Sequence, residues 1–419
     1  MKTPVLTQAV EGPRWEGEAS PPQAGDEREA HRPIKVCFIS PLGYGLYRPE
    51  SGYPFGGAEV QFFLLSRELS ADEAFQVSVL TTVREAPGVE RQGALTVVRR
   101  QGLNRLGPRV GRTWWGSLGA APRYASAFRA MCSVLRAIDA DVYVHGGAGV
   151  EVGAYALICR LLRRRFAFVV TSSADLLKPN GQVTGSLRWL FPLGLRLADA
   201  VICRTQEQRT RLHDHYGLDG VLIRTGHPTV KRTGEHRSTV LWVGRTHPLK
   251  QPEMFLDLAE RLPSERCVMV VMRHPAYQGL MTAVQKRAGK VANLTVHEDV
   301  PLSEVDQYFE RAKLFINTST YEGFPNTFVQ AALHGTPILS WTVDPDRVLE
   351  QHGIGTCAAG SFERLVSAAG EICSSEELRA KMGNRGREYA ATYHDLSRSA
   401  GEFKALVRSL VGPRARVGE

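Results

Sequence analysis

An acidic residue, Glu322, precedes the run Gly323-Phe324-Pro325-Asn326-Thr327 and then an apolar helical pattern. This spacing sets a carboxylate beside the free N–H groups of a helix N-terminus, which suit a phosphate or sugar oxygens. The carboxylate would repel a phosphate but suits sugar hydroxyls, so the two together point to a phosphorylated sugar. Pro325 fits the first helical turn, where a missing N–H costs nothing. Gly335 suits the residue just past the helix end, and Pro337 prevents continuation. A second set lies upstream: Leu241-Trp242-Val243-Gly244-Arg245 reads as a strand ending in glycine, and Lys250 falls in the first turn of a new helix. Arginine offers a bidentate fork and lysine a point charge, a pairing that can clamp a diphosphate.

Three further groups carry weaker chemistry. Gly56-Gly57-Ala58 stands before a helix, where glycine lets the backbone approach a ligand, although a loop needing positive φ explains it equally. It is not a G-x-G-x-x-G fingerprint, so no dinucleotide is inferred. His145 ends an apolar strand and precedes Gly146-Gly147, a position suited to a site; a locally bonded loop histidine is the plain alternative. Asp344-Pro345-Asp346 has the form of a metal-ligand pair, but Asp139-Ala140-Asp141 shows that such triplets arise by chance. Both read as solvated turn aspartates, and no metal site is expected. Trp114-Trp115 reads as a pair buried under a loop rather than an exposed acceptor or membrane contact.

The elements that must position these residues alternate. Ile34–Ser40, Val77–Leu80, Leu95–Val98, Val142–Val144, Phe166–Val170 and Ala200–Cys203 read as strands, with helical patterns over Tyr124–Ile138, Val152–Leu162 and Gln206–Tyr216. The polar stretch Gly226–Ser238 interrupts this pattern. A second alternation follows, with strands at Val240–Val243, Val268–Met272, Leu294–Val296, Leu314–Ile316 and Ile338–Trp341, helices such as Pro252–Arg261 and Ser303–Arg311, and a helical tail from Glu376. The reading is α/β, with two doubly wound domains facing a cleft. Residues 1–32 read as a disordered tail, 33–228 and 229–390 as the two domains, and 391–419 as a helix packing back toward the first.

Size and composition agree with a two-domain chain: 419 residues, 43% hydrophobic and 23% charged. No apolar run approaches the roughly 18 residues needed to span a bilayer, and the N-terminus lacks the apolar core of a signal peptide. Seven scattered cysteines without a C-x-x-C pair suit reduced thiols in the cytoplasm. The net charge of +9 is concentrated between Pro33 and Val230, with 24 Lys and Arg against 15 Asp and Glu; the remainder is balanced. An anionic membrane or lipid-phosphate acceptor would use this charge, as would nucleic acid, but scattered arginines that merely solvate helices explain it as well. No nucleic-acid module pattern is present.

Taken together, these motifs resemble a glycosyltransferase of the GT-B fold, in the large retaining family 4. The resemblance runs from about Ile34 to the C-terminal helices. Glu322 through Gln330 resembles the E-x7-E element, Gly244-Arg245 through Lys250 the diphosphate clamp, and Gly56-Gly57-Ala58-Glu59 the glycine loop. His145 falls where the family carries a sugar-contacting histidine. The resemblance implies two Rossmann-like domains, with donor-sugar hydroxyls held by Glu322, and backbone N–H groups of Phe324 to Thr327 on the sugar and distal phosphate. It implies Arg245 and Lys250 on the leaving diphosphate without a metal, His145 near the anomeric centre, and Gly57 at close approach to the donor. Two departures stand out. The second acid of E-x7-E is Gln330, which could still bind ribose with altered geometry. Arg273-His274-Pro275 replaces the glycines that many members carry, leaving base recognition open.

The expected function is retaining transfer of a sugar from a nucleotide-diphosphate sugar to a glycan or lipid-linked acceptor, as in surface polysaccharide synthesis. No cofactor, metal or nucleic acid is expected. The expected location is cytoplasmic, with peripheral contact to an anionic inner-membrane face. The alternatives are a nucleotide-sugar epimerase of similar fold, which would need acid/base carboxylates such as Glu59, Glu151 or Asp175, and a non-catalytic nucleotide-sugar-binding protein.

Overall fold

The computed structural model describes residues 32–102, 121–177, 187–230 and 236–412, together with Val183, Gly185 and Gly234. The tail over residues 1–31 and the Trp114-Trp115 pair lie outside the described residues.

The first domain contains β1 (Ile34–Ile39), α1 (Tyr44–Tyr47), α2 (Gly57–Ser70), β2 (Phe75–Thr82), β3 (Gly88–Gln92), β4 (Leu95–Arg100), α3 (Ala121–Ile138), β5 (Val142–Gly146), α4 (Glu151–Leu161), β6 (Arg165–Val169), α5 (Leu190–Leu197), β7 (Ala200–Cys203), α6 (Gln206–Tyr216) and β8 (Val221–Leu222). Its strands form one sheet in the order β3-β4-β2-β1-β5-β6-β7-β8. All neighbours are parallel except β3 and β4. The order reverses between β1 and β5, where Ile39 lies in register with His145.

The second domain contains β9 (Thr239–Arg245), α7 (Pro252–Arg261), β10 (Arg266–Met272), α8 (Gln278–Ala288), β11 (Leu294–Glu298), α9 (Leu302–Arg311), β12 (Ala312–Asn317), α10 (Asn326–His334), β13 (Ile338–Ser340), α11 (Val348–Gln351), β14 (Gly355–Cys357), α12 (Phe362–Ser374) and α13 (Glu376–Tyr393). Its fully parallel sheet runs β11-β10-β9-β12-β13-β14. The reversal falls between β9 and β12, so the ends of these two strands open the crevice in which such folds bind ligands.

Each sheet is apolar on both faces because helices cover both. In the first domain Cys37, Ile39, Tyr143 and Phe168 pack toward the α3–α5 face, and Val36, Phe38, Val77 and Val144 toward α2. The final helix, α14 (Leu396–Val411), returns to that second face. Its Phe403 stacks on Phe38 with ring centroids 5.6 Å apart, and Lys404 pairs with Asp72 at 3.0 Å.

α10 ends at Gly335, whose φ of 67° is the left-handed conformation that glycine adopts without strain. Pro325 caps α10, one position earlier than the first-turn place expected for it. β3 pairs antiparallel with β4 and is not among the strands read from the sequence. Its sequence, GVERQ, has a half-exposed edge that apolar runs do not mark.

Candidate functional site

The strand ends converge on one cleft between the domains, a cavity of about 460 Å³, a size suited to a small ligand. Gly56, Gly57, Arg245, Lys250, Glu322, Gly323, Phe324, Pro325, Asn326, Thr327 and Gln330 all line it.

Glu322 occupies the loop between β12 and α10. One carboxylate oxygen accepts from Lys250 Nζ and from Ser319 Oγ, the latter at 2.7 Å. Lys250 closes the short turn Pro248–Lys250 after β9; its carbonyl accepts from Thr318 Oγ1 at 2.6 Å. Because β9 and β12 are neighbours, an ammonium and a carboxylate 72 residues apart in the chain share one point at the mouth of the crevice.

Arg245 ends β9. Its Nε and Nη2 are buried with no hydrogen-bond partner, and burial depresses its pKa, with Glu59 opposing that shift. A Cβ at Gly56 would stand 2.5 Å from Arg245 Nη1 and 2.8 Å from Glu59 Oε2, so the glycine is what lets the loop pass the guanidinium. Glu59 folds back onto Gly56 N at 3.0 Å and fixes the start of α2. The result is a desolvated cation with two unpaired donors, in the same cleft as the N-terminus of α10.

The two domains touch across the cleft. Asn326 Nδ2 donates to Gly57 O at 2.7 Å, and Gln61 Nε2 donates to Asn326 Oδ1 at 2.9 Å. Ser173 N donates to Glu322 O at 2.9 Å, and a Cβ at Gly323 would lie 2.5 Å from Thr171 O. On the opposite side of the interface Asp346 accepts from Gln206 N at 2.9 Å and Glu207 N at 2.8 Å, capping α6 from the other domain. Asp344 accepts from Leu349 N at 2.9 Å. These two aspartates serve as caps rather than as solvated turn residues, and Asp139 and Asp141 are bound by Lys35, Arg32 and Arg164. Among the described residues no group of three His, Cys, Asp or Glu side chains is placed to hold a metal ion.

His145 departs from its expected place. It is buried under the cleft rather than lining it, with Nδ1 3.1 Å from Ile39 O and Nε2 4.0 Å from Glu151 Oε1. Burial lowers its pKa, against the pull of Glu151, and holds the ring neutral. The strand-end position was read correctly, but the side chain turns into the packing beside Tyr155, with ring centroids 5.1 Å apart.

Gln330 lies one turn into α10 and donates from Nε2 to Asp306 Oδ1 at 2.9 Å. Asp306 was not singled out in the sequence, because it lies on α9 and only the fold brings it to Gln330. Burial works against its charge, but the His334 ring, with Nε2 3.8 Å away, and the bond from Gln330 outweigh this and hold its pKa below the usual carboxylate value. Thr171, Ser172, Arg204 and Thr225 also line the cleft and were likewise missed. They come from the ends of three separate strands, and no local motif marks them.

Residues 55–232 match glycosyltransferase family 4, and residues 237–375 match the glycosyl transferases group 1. The chain thus carries the two domains of a glycosyltransferase of the family 4, group 1 type. Its curated relatives include the D-inositol 3-phosphate glycosyltransferase of Nocardiopsis dassonvillei, 25% identical over 253 residues, which are 53% of this chain and 58% of the relative. The protein of the same name from Mycobacterium avium is 26% identical over 248 residues, 53% of this chain and 58% of that one. The chain thus spans little more than half the length of these relatives. Among solved structures, sucrose-phosphate synthase from Thermosynechococcus elongatus superposes with a TM-score of 0.70 at 17% identity, covering 90% of this chain and 99% of that one. The glycosyltransferase WaaG, involved in lipopolysaccharide biosynthesis, gives 0.62 at 15% identity, covering 89% and 99%. These likenesses show the GT-B fold, two facing Rossmann-like domains.

Proposed function

We propose that this family 4 chain is a retaining glycosyltransferase that moves a sugar from a nucleotide-diphosphate sugar to an acceptor hydroxyl. The observation that carries the reading is the desolvated Arg245 guanidinium, whose Nε and Nη2 have no partner among the described residues, in one cleft with Lys250 and the N-terminus of α10. A diphosphate leaving group gains negative charge as the glycosidic bond breaks. Preorganised cations in a site shielded from water stabilise that charge most strongly in the transition state. Glu322, whose second oxygen is not taken by Lys250 or Ser319, would accept from sugar hydroxyls. In this reading the acceptor hydroxyl attacks the face from which the diphosphate leaves, through an oxocarbenium-like state, so the configuration is kept. No metal is required, since Arg245 and Lys250 supply the charge.

The epimerase alternative is weakened by the surroundings of its acids. Of Glu59, Glu151 and Asp175 only Glu59 lines the cleft, and Glu59 is engaged in capping α2. Asp175 is buried and accepts from Thr171 N at 2.9 Å and Ser172 N at 3.0 Å.

The acceptor is a glycan or a lipid-linked or phosphorylated polyol. The curated relatives are named for D-inositol 3-phosphate, which favours the phosphorylated class. Seven free thiols suit a reducing cytoplasm, and no described helix is long and apolar enough to cross a membrane. Contact with an anionic membrane is carried by charge alone, and sedimentation with anionic vesicles at low salt tests it.

Incubating the purified chain with a panel of nucleotide sugars, with and without candidate acceptors, tests the reading. Transfer, or slow donor hydrolysis, supports it. Conversion to another sugar nucleotide would indicate an epimerase, and binding without turnover a binding protein.

A further inference from the structure

Arg204 follows β7 and lines the cleft, yet its side chain is 5% exposed. Nη1 donates to Ile223 O at 3.1 Å and reaches Arg224 O at 3.5 Å. Among the described residues it makes no ion pair and no other side-chain hydrogen bond, which leaves Nε and Nη2 as unspent donors. Among the described residues no Asp or Glu offsets its charge, and burial draws its pKa down to about 10, so the group remains a cation at neutral pH. A buried guanidinium without a counter-charge is costly, and a cleft that retains one gains most when an anion enters.

A second orphaned donor stands next to it. Gln208 is fully buried; its Oε1 accepts from Arg204 N at 2.7 Å, while Nε2 has no partner. That nitrogen lies 3.1 Å from where a Cβ of Gly323 would be, at the first domain's contact with the loop before α10. Thr225 closes the same corner, its Oγ1 3.5 Å from Phe324 O.

We propose that Arg204 is an anion-binding residue that holds a phosphoryl group in the cleft from the first domain, opposite Arg245 and Lys250. The chemistry is a guanidinium fork on phosphate oxygens. It rests on the transferase reading only for the source of the phosphate, which is the donor's diphosphate or a phosphate carried by the acceptor.

Calorimetric titration of the full chain with inorganic phosphate, and separately with UDP and GDP, tests this in wild type, R204M and R204K. The expected result is phosphate binding weakened at least about tenfold in R204M and less in R204K, with the wild-type value falling as salt is raised. A parallel loss of nucleoside-diphosphate affinity assigns the phosphate to the donor. Unchanged nucleotide affinity, with loss of phosphate binding to the nucleotide-loaded protein, assigns it to the acceptor. Equal phosphate and nucleotide binding in wild type and R204M, or no phosphate binding by wild type, overturns the proposal. If R204M does not fold, R204K decides, since unchanged affinities there also overturn it. Phosphate binding that depends on Arg204 in a protein that turns over no nucleotide sugar would keep this assignment and remove the transferase reading instead.

Discussion

The amide of Ser173 donates to the carbonyl oxygen of Glu322 at 2.9 Å, so the loop carrying the site's carboxylate is also a point where the domains meet. An opening of the cleft at this point would break this bond, and closure would remake it. Ser173→Pro removes that donor with little local strain. Ser172 has φ −138° and ψ 146°, the extended conformation favoured before proline, and Ser173 opens a single helical turn where proline is tolerated. One hydrogen bond is worth about 0.5–1.5 kcal/mol, so the open form should gain roughly 2- to 10-fold in population. Small-angle scattering should show a larger radius and transfer a lower kcat at nearly unchanged Tm; an unchanged radius and rate would show that the bond does not govern closure.

Glu322 and Lys250 form one unit. Glu322→Ala should abolish nearly all transfer, about 10²-fold or more, while the fold persists. Lys250→Ala should raise the donor KM and lower kcat together, because a contact to the leaving group strengthens in the transition state. Steady-state kinetics on both variants check this, and wild-type activity in either would remove that residue from the reaction.

The glycine loop should tolerate a side chain poorly at Gly56. A Cβ at Gly56 meets Arg245 Nη1 and Glu59 Oε2 at less than 3.0 Å, so Gly56→Ala must displace the guanidinium or uncap α2. Overpacking of this kind costs about 1–3 kcal/mol. The expected outcome is a donor KM raised about tenfold or more with a modest fall in Tm. The same change at Gly57, where the nearest atom is the movable Asn326 Nδ2 at 3.2 Å, should be milder. Equal effects at both positions would contradict the geometry.

What the sequence made legible followed from local rules. Gly335 and Pro337 marked the end of α10, and apolar runs marked the buried strands because parallel sheets are covered on both faces. Arg245 and Lys250 were readable as a pair because one ends a strand and the other closes the short turn that follows it. His145 was placed on the right strand end, but strand position does not fix whether a side chain turns to the cleft or to the core, and the bond to Ile39 O fits the alternative of a locally bonded histidine. Arg204, Thr225 and Asp306 were invisible because each acquires its meaning from a neighbour distant in the chain: Ile223 and Arg224 for the first, Phe324 for the second, Gln330 for the third.

The junction between the domains should be acid-labile. His394 is fully buried, with Nδ1 donating to Thr225 O at 2.6 Å and Nε2 accepting from Tyr389 Oη at 3.2 Å; its ring lies 4.3 Å from that of Phe324. Burial pulls its pKa down to about 3, and that of His227 to about 4. A base with a depressed folded pKa contributes stability that is complete above its unfolded value, about 6.5, and is lost as pH falls below it, because the unfolded chain then binds protons the native state does not. Stability should therefore decline from pH 6.5 toward pH 4 with a slope up to about 1.4 kcal/mol per pH unit for each histidine. Denaturant titrations across this range should show a smaller slope in His394→Gln, and an identical slope would exclude His394 as its source.

Gln330 is best understood through Asp306. Its amide donates to that carboxylate at 2.9 Å, and Asp306 stays charged partly because of this bond. Replacing Gln330 by Glu would restore the acid of the E-x7-E pattern but set two carboxylates in contact, where one must take up a proton or both must move apart. Gln330→Glu alone should therefore weaken donor binding and raise the pH at which activity falls, rather than improve catalysis. Asp306→Asn combined with Gln330→Glu removes the repulsion while keeping one acid and one amide, in exchanged positions. The double variant should recover most of the lost donor affinity, a coupling of about 1–3 kcal/mol between adjacent groups. Donor affinities for the two single variants and the double variant close the cycle. Additive losses would mean that the pair does not act together and that the amide at position 330 serves packing alone.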